Sequence, residues 1–408
     1  MNLALRRHLA DSMAVDAMIG SRPRWTTIAS ARAVLSLEGR YLLHAGPPIT
    51  ERSLISLPQK NSMLMAILFE EWATDRQGAE ELLMSGKVAL YAAQDHGCAV
   101  PLADALSPSM QLLVIEDGSC PSRKSFSTIN GGDGPVMRVG QYSENVLERL
   151  RWINQHLAPQ LQTVIARSPI DLLSIADAAL AVGDDCHGRT QQGSQLIAQA
   201  LLLRAGSDGF DDEARRFLEQ SAAFFLNLWM AAVKCCFLAA EEVPGSSVVT
   251  AIGGNGRQFG IQISAMPGRW FVTAGDAPLV PGADEQVRQR ALGAIGDSAI
   301  VDAFGSGAMA CDLAPLTAER LAKTCSEYGR AFPSKLLQYP HPQLLKSQAY
   351  RTGLDARQAC RLELGPVISL GVLDKQGLLG RLDGGFFFSP LKPFQAALEA
   401  LEAADAPA

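Results

Sequence analysis

Residues 222–240 set the tightest limit on how this chain can fold, because they are apolar almost throughout and only Asn227 and Lys234 interrupt them. The run is nearly long enough to cross a bilayer. A lysine near the middle of a spanning helix, however, costs about 2.5–3.5 kcal/mol on insertion scales. The expectation is a helix enclosed by protein on most sides, with no membrane span.

A helix of that kind needs a large core around it, and the composition supplies one. The 408 residues are 48% hydrophobic and 19% charged, where an average domain carries about 25% charge. Such a chain is not disordered, and its low surface charge points to a homo-oligomer. The net charge of −6 argues against a nucleic-acid partner. Residues 1–25 have charges at Arg6, Arg7, Asp11 and Asp16 and no continuous apolar stretch, so no secretory signal is expected. The eight cysteines include no C-x-x-C pair, which fits free thiols in a reducing cytoplasm and offers no metal ribbon.

Around the apolar run, the pattern predicts an α/β protein in three regions. The first, 1–142, alternates short apolar runs with helical patterns: strands at 41–43, 88–92, 111–116 and 136–139, and helices at 63–72 and 79–85. Residues 143–243 read as a helical region, with Ser143 capping one helix and Asp171 opening the next. Residues 244–408 read as α+β. There, Gly253-Gly254-Asn255-Gly256 between two β-rich runs predicts a hairpin, followed by a third strand at 270–273. Strands at 366–372 and 384–388 precede a closing helix near 393–403.

Function is sought where polar side chains occupy apolar or glycine-rich settings. His44 and Gly46 end a strand in the turn His44-Ala45-Gly46-Pro47-Pro48, and ligands of open α/β sheets bind at strand carboxyl ends. Gln94-Asp95-His96-Gly97 follows another strand. Asp184 and His187 are three apart and share a face if their segment is helical. That spacing suits an imidazole base with its carboxylate; a charged turn is the main alternative, and a metal site would need further ligands that the sequence does not show. Asn227 and Lys234 lie seven apart on one stripe of the apolar helix. They should meet a carboxylate of this chain or an anionic ligand. Asn255 and Arg257 sit in a glycine-rich turn that is either an anion nest or a plain hairpin. Asp297 or Ser298 caps the following helix, or that helix end receives an anion.

These segments, taken in chain order over residues 21–401, resemble the YlbE-like family. The resemblance rests on Leu43-His44-Ala45-Gly46-Pro47-Pro48, Glu148-Arg149-Leu150-Arg151-Trp152, Gly183-Asp184-Asp185-Cys186-His187 and Phe224-Phe225-Leu226-Asn227. It continues through Asn255-Gly256, Phe259-Gly260-Ile261, Arg269-Trp270-Phe271 and Gly296-Asp297-Ser298-Ala299-Ile300. One member is a subunit of a bacterial oxamate carbamoyltransferase complex. The resemblance therefore implies transfer of a carbamoyl group between phosphate and a small anionic amide or ureido substrate, with different-subunit partners. Carbamoyl phosphate would be the co-substrate, and neither a metal nor another cofactor is implied.

In that chemistry His187, with Asp184, and Asp297 are the candidate catalytic groups. Lys234, Arg189 and Arg269 are candidate anion anchors. His44 and His96 are further bases or donors beside Gly46, and Asn227, Asn255 and Ser298 are candidate amide or oxyanion contacts. The chain also departs from the family pattern. Gln94-Asp95 stands where consecutive histidines are usual, Gly254 where an arginine is, Val301-Asp302 where Thr-Glu is, and Asp374 where a histidine is. Such losses leave two alternatives open: a non-catalytic or co-catalytic subunit, and a small-amide hydrolase or lyase of a specialised biosynthetic pathway.

Overall fold

The computed structural model describes residues 3–206, 209–325, 332–345 and 350–405. The apolar run forms the helix Phe224–Ala239, and protein surrounds it. One side rests on the strands of an antiparallel sheet. The other sides meet the helices Leu3–Gly20, Gln191–Ala205 and Ala299–Phe304 and the strand Val249–Asn255. Among the described residues no single helix is long and apolar enough to cross a membrane. Burial in a protein core accounts for a composition that imitates a span.

The sheet under this helix has the order Cys120–Thr128, Gln111–Asp117, Pro23–Ser30, Ile170–Asp171, all antiparallel. A second, smaller sheet pairs Tyr41–His44 in parallel with Ala89–Ala92 and antiparallel with Ala105–Leu106. The helices Leu57–Phe69 and Arg76–Met84 make the crossover between its parallel strands, as parallel pairing requires. A third sheet runs Phe271–Ala274, Gln258–Ile263, Val249–Asn255, Ile295–Gly296. Its central pair is the expected hairpin, turning at Gly256 and Arg257. The hairpin Val367–Leu373 and Arg381–Phe388 and the closing helix Lys392–Asp405 complete the chain.

The α/β reading holds, and among the described residues no sheet closes into a barrel. Both expected caps are present: Ser143 Oγ accepts from the Val146 N–H at 3.4 Å and Asp171 Oδ1 from the Leu173 N–H at 3.0 Å. One expected strand is corrected, since Met137–Val139 is a short 3₁₀ turn that ends on Gly140 in left-handed backbone. The largest cluster of buried side chains runs from Ala14 to Leu401 and draws on all three stretches of sequence.

Candidate functional site

The first and third stretches meet beyond the carboxyl ends of the parallel pair Tyr41–His44 and Ala89–Ala92, and Asp297 joins them. Its Oδ1 accepts from the Gly46 N–H at 2.9 Å and from Gln94 Nε2 at 2.7 Å, and its Oδ2 from the Val100 N–H at 3.0 Å. Gln94 also brackets the neighbouring strand, donating to the Ile252 carbonyl at 3.0 Å. Burial pushes the Asp297 carboxyl up to about 7, against the pull of its hydrogen bonds and of Lys234. The helix Ala299–Phe304 is not capped by this side chain or by Ser298, whose hydroxyl makes no cap bond although the residue is buried. The expected cap is thus corrected: the Asp297 carboxylate serves the strand ends instead.

Close backbone approach dictates the glycines of this junction. Gly46 has φ +73°, and a Cβ there would stand 2.3 Å from the Gly254 carbonyl carbon. Asn255 Nδ2 donates to the Pro47 carbonyl at 3.0 Å, while its Oδ1 accepts the Arg257 and Gln258 N–H groups that close the hairpin. A Cβ on Gly256 would approach Ser56 Oγ to 2.9 Å. Ser56 directly precedes the helix Leu57–Phe69, which packs on the strand Tyr41–His44.

Several buried groups on these elements have no partner among the described residues: His44 Nε2, Ser56 Oγ, and both amide atoms of Gln59. His44 is fully buried and burial lowers its imidazole to about 4. Its Nδ1 lies 2.9 Å from the Ala45 carbonyl. A carbonyl only accepts, so Nδ1 carries the hydrogen and Nε2 keeps a free lone pair. Orphaned buried groups like these are uncommon and costly. Ser56 is the N-cap and Gln59 lies in the first turn of the helix Leu57–Phe69, where free N–H groups and the dipole favour an anion.

The two polar residues of the central helix find acceptors within the chain. Lys234 Nζ donates to Glu241 Oε1 at 3.0 Å and to the Thr250 carbonyl at 3.4 Å. Asn227 Nδ2 donates to the Thr128 carbonyl at 2.8 Å, and its Oδ1 accepts from Asn130 at 3.0 Å. Lys234 faces the Asp297 side electrostatically, whereas Asn227 faces a different wall.

His187 has a separate setting. Residues 183–190 are not helical, so the expected shared face of Asp184 and His187 does not form. Gly183 at φ +94° and Cys186 at φ +59° break the helix. Asp184 Oδ2 instead accepts the Gln192 and Gly193 N–H groups at the start of the next helix, and Arg189 lies 3.5 Å from its other oxygen. The carboxylate that pairs with His187 Nδ1 is Asp302, itself fixed by the Ala308 and Ser369 N–H groups. Burial raises the Asp302 carboxyl, with His187 opposing.

Two predicted contacts stand apart from both clusters. His96 stacks edge-on against Tyr91 at 5.1 Å, while Asp95 accepts from Gln262 and Trp270. Arg269 is exposed and its guanidinium lies over Phe271. The junction thus unites His44, Gly46, Asn255 and Asp297 with Lys234 near, and leaves His187, Asp184, Arg189, Asn227, His96 and Arg269 elsewhere. Sequence reasoning missed Gln59, Ser56, Gln94 as the Asp297 partner, and Asp302. A polar Gln59 preceding the run Met63–Ile67 was the available signal.

Comparison with known proteins supplies the remaining context. A family described as oxamate carbamoyltransferase subunit AllG matches residues 88–298. The oxamate carbamoyltransferase subunit AllG of Escherichia coli K12 is 32% identical, over 96% of this chain and 97% of its own. The uncharacterized protein YahG of the same organism is 28% identical, over 95% of this chain and 84% of its own. A crystal structure of a conserved protein of unknown function from Enterococcus faecalis V583 superposes with a TM-score of 0.91 at 27% identity, covering 98% of this chain and 99% of that one.

Proposed function

Since the chain belongs to the oxamate carbamoyltransferase subunit AllG family, we propose that it takes part in carbamoyl transfer between phosphate and a small amide or ureido carboxylate. It does so as one subunit of an assembly, with the strand-end junction as its substrate contact. The observation that carries this reading is the set of unanswered polar atoms on the elements that build that junction: His44 Nε2, Ser56 Oγ and, on the helix that Ser56 precedes, the Gln59 amide.

The reaction makes specific demands. The amide nitrogen attacks the carbamoyl carbon, a C–N bond forms, the C–O bond to phosphate breaks, and one proton leaves nitrogen. Donors must meet the oxyanion as it forms. Gln59 Nε2 and the Ser56 hydroxyl are free donors at the positive end of a helix. His44 Nε2 is a free acceptor for the N–H of the attacking amide. Asp297 is a positioning residue: it holds Gly46 and Gln94, and so the turn that carries His44. Its own oxygens are engaged, which suits a subunit whose site a partner completes.

The test is carbamoyl phosphate consumption with oxamate, by the chain alone and after co-expression with its neighbouring-gene products. We expect turnover only with partners present. Gln59→Leu removes two unpartnered buried atoms, so it should leave folding intact or improve it while lowering turnover at least tenfold. Full turnover by the isolated chain would overturn the subunit role, and an unchanged rate in folded Gln59→Leu would overturn the site.

A further inference from the structure

His187 sits on a loop that the chain holds tightly. Cys186, just before it, has left-handed backbone at φ +59°, which strains a residue other than glycine. The Asp185 carboxylate fixes that turn. Its Oδ1 accepts the His187 N–H at 2.8 Å and the Arg189 N–H at 3.0 Å, and its Oδ2 accepts the Thr317 hydroxyl. The Gly307 N–H donates to the Asp185 carbonyl at 2.6 Å. A Cβ on Gly307 would stand 3.0 Å from His187 Cβ and nearer still to the Asp302 carboxylate, so glycine there lets the imidazole reach its acid.

Asp302 is buried, and its Oδ1 accepts the Ala308 N–H at 2.8 Å and the Ser369 N–H at 3.1 Å. Its Oδ2 pairs with His187 Nδ1. With Asp302 ionised, Nδ1 carries the hydrogen and Nε2 presents a lone pair. Ser369 brings a hydroxyl to the same place. Its own N–H is bound to Asp302, and a Cβ on Gly188 would lie 3.8 Å from its Oγ. Neither His187 Nε2 nor Ser369 Oγ makes a hydrogen bond among the described residues, and neither is among the unpartnered polar atoms sealed from solvent. The two residues keep 8% and 6% of their surface exposed, beside Gly188 and Arg189, which are open to solvent.

An orienting carboxylate, an imidazole with a free nitrogen and an unengaged hydroxyl are the parts of an acyl-transfer centre. The bond from base to hydroxyl commonly closes only when substrate binds. We propose that His187 and Ser369, oriented by Asp302, form a second catalytic centre that takes a small acyl group from an ester. Ser369 Oγ attacks the ester carbonyl carbon and a C–O bond forms, while His187 Nε2 takes the hydroxyl proton. The bond from carbon to the leaving alcohol oxygen breaks, and Nε2 returns the proton to that oxygen. Water then attacks the acyl-serine with the same proton traffic and releases the carboxylic acid. The narrow opening limits the acyl group to about the size of acetyl. The centre shares no residue with the strand-end junction, so the two readings stand or fall separately.

Treatment of the full-length chain with diisopropyl fluorophosphate, followed by peptide mass spectrometry, tests the nucleophile. We expect one phosphoryl group on Ser369, none there in Ser369→Ala, and labelling at least tenfold slower in His187→Gln. Hydrolysis of p-nitrophenyl acetate tests Asp302 as a positioning residue. Asp302→Asn keeps an oxygen for the two N–H groups but turns an amide toward Nδ1, which holds the imidazole in the wrong tautomer. It should lower kcat at least tenfold with KM unchanged and the thermal transition retained. An unlabelled Ser369 in the parent, or labelling at the parent rate in folded His187→Gln, would overturn the proposal. An unchanged kcat in folded Asp302→Asn would overturn the role of Asp302.

Discussion

Two aspartates lie buried in this protein and differ in how the fold answers them. Asp297 receives three hydrogen bonds across both oxygens. Asp104 receives the Thr128 hydroxyl on one oxygen and a weaker pull from the Ala105 N–H, and its other oxygen has no hydrogen bond among the described residues. Burial raises both, to about 7 for Asp297 and about 6 for Asp104. Desolvation is therefore common to the two, and the difference lies in the compensation. Asp297 spends its oxygens on the turn after one strand, on the helix after its parallel neighbour and on the loop at Val100. It is a clasp of the fold. Asp104 leaves capacity unused beside Arg138, whose Nη1 is likewise without a partner among the described residues, so it is no clasp.

Removing the clasp should have the largest effect. Asp297→Ala would strand the Gly46 and Val100 N–H groups and the Gln94 amide in the interior. Each orphan costs about 1–3 kcal/mol, so we expect a loss of about 3–5 kcal/mol in urea denaturation. A loss below about 1 kcal/mol would mean that the surroundings relax, and that Asp297 is no more structural than Asp104.

The pH dependence of stability sharpens the contrast. An unfolded aspartate titrates near 3.9, and folded Asp297 at about 7. Between those values the folded state holds more protons. Its contribution is thus fully present below about pH 4 and is lost as pH rises through about 7. The swing is on the order of 4 kcal/mol. Subtracting the profile of Asp297→Asn from that of the parent should isolate a decline over pH 4–7. A flat difference would show that Asp297 is ionised throughout. Asp104 has the same sign and a window that closes earlier, near 6.

Gly46→Ala probes the clasp from its donor side. The alanine must adopt φ +73° and push against the Gly254 backbone. We expect a loss of about 2–3 kcal/mol, read as a lower urea midpoint. An unaffected midpoint would show that the turn can shift away from the hairpin.

Local signals made much of this architecture legible. The all-apolar run became the central helix, Ser143 and Asp171 became caps, and Gly253-Gly254-Asn255-Gly256 marked the hairpin. Each rests on chemistry within a few residues. The strand Cys120–Thr128 was hidden because Ser125 and Ser127 point inward and donate to the carbonyls of Ala231 and Ala99, so its buried face reads as polar. The junction was legible only in part. His44-Ala45-Gly46-Pro47-Pro48 marks a strand end, but the Gln94–Asp297 bond joins residues 203 apart. Pairing Asp184 with His187 by spacing presupposed a helix that Gly183 and Cys186 break. The true partner, Asp302, lies 115 residues away. Gln94 on Asp297, Asp302 on His187 and Asp374 paired with Arg290 are all contacts between residues far apart in the chain, so no local pattern announces them.

The smallest effect is expected at Asp104, and its smallness is the point. Asp104→Asn keeps an oxygen for the Thr128 hydroxyl and removes a charge that burial disfavours, though Arg138 loses a neighbouring anion. These opposing changes should leave stability at pH 7.5 within about 1 kcal/mol of the parent, measured by urea denaturation beside Asp297→Asn. A buried polar group can be costly to desolvate and still contribute little to the fold when half of its hydrogen-bonding capacity goes unused. If Asp104→Asn lost as much as Asp297→Ala, Asp104 would be a second clasp. Its free oxygen would then be met by ordered water that the fold requires, and the distinction between the two aspartates would collapse.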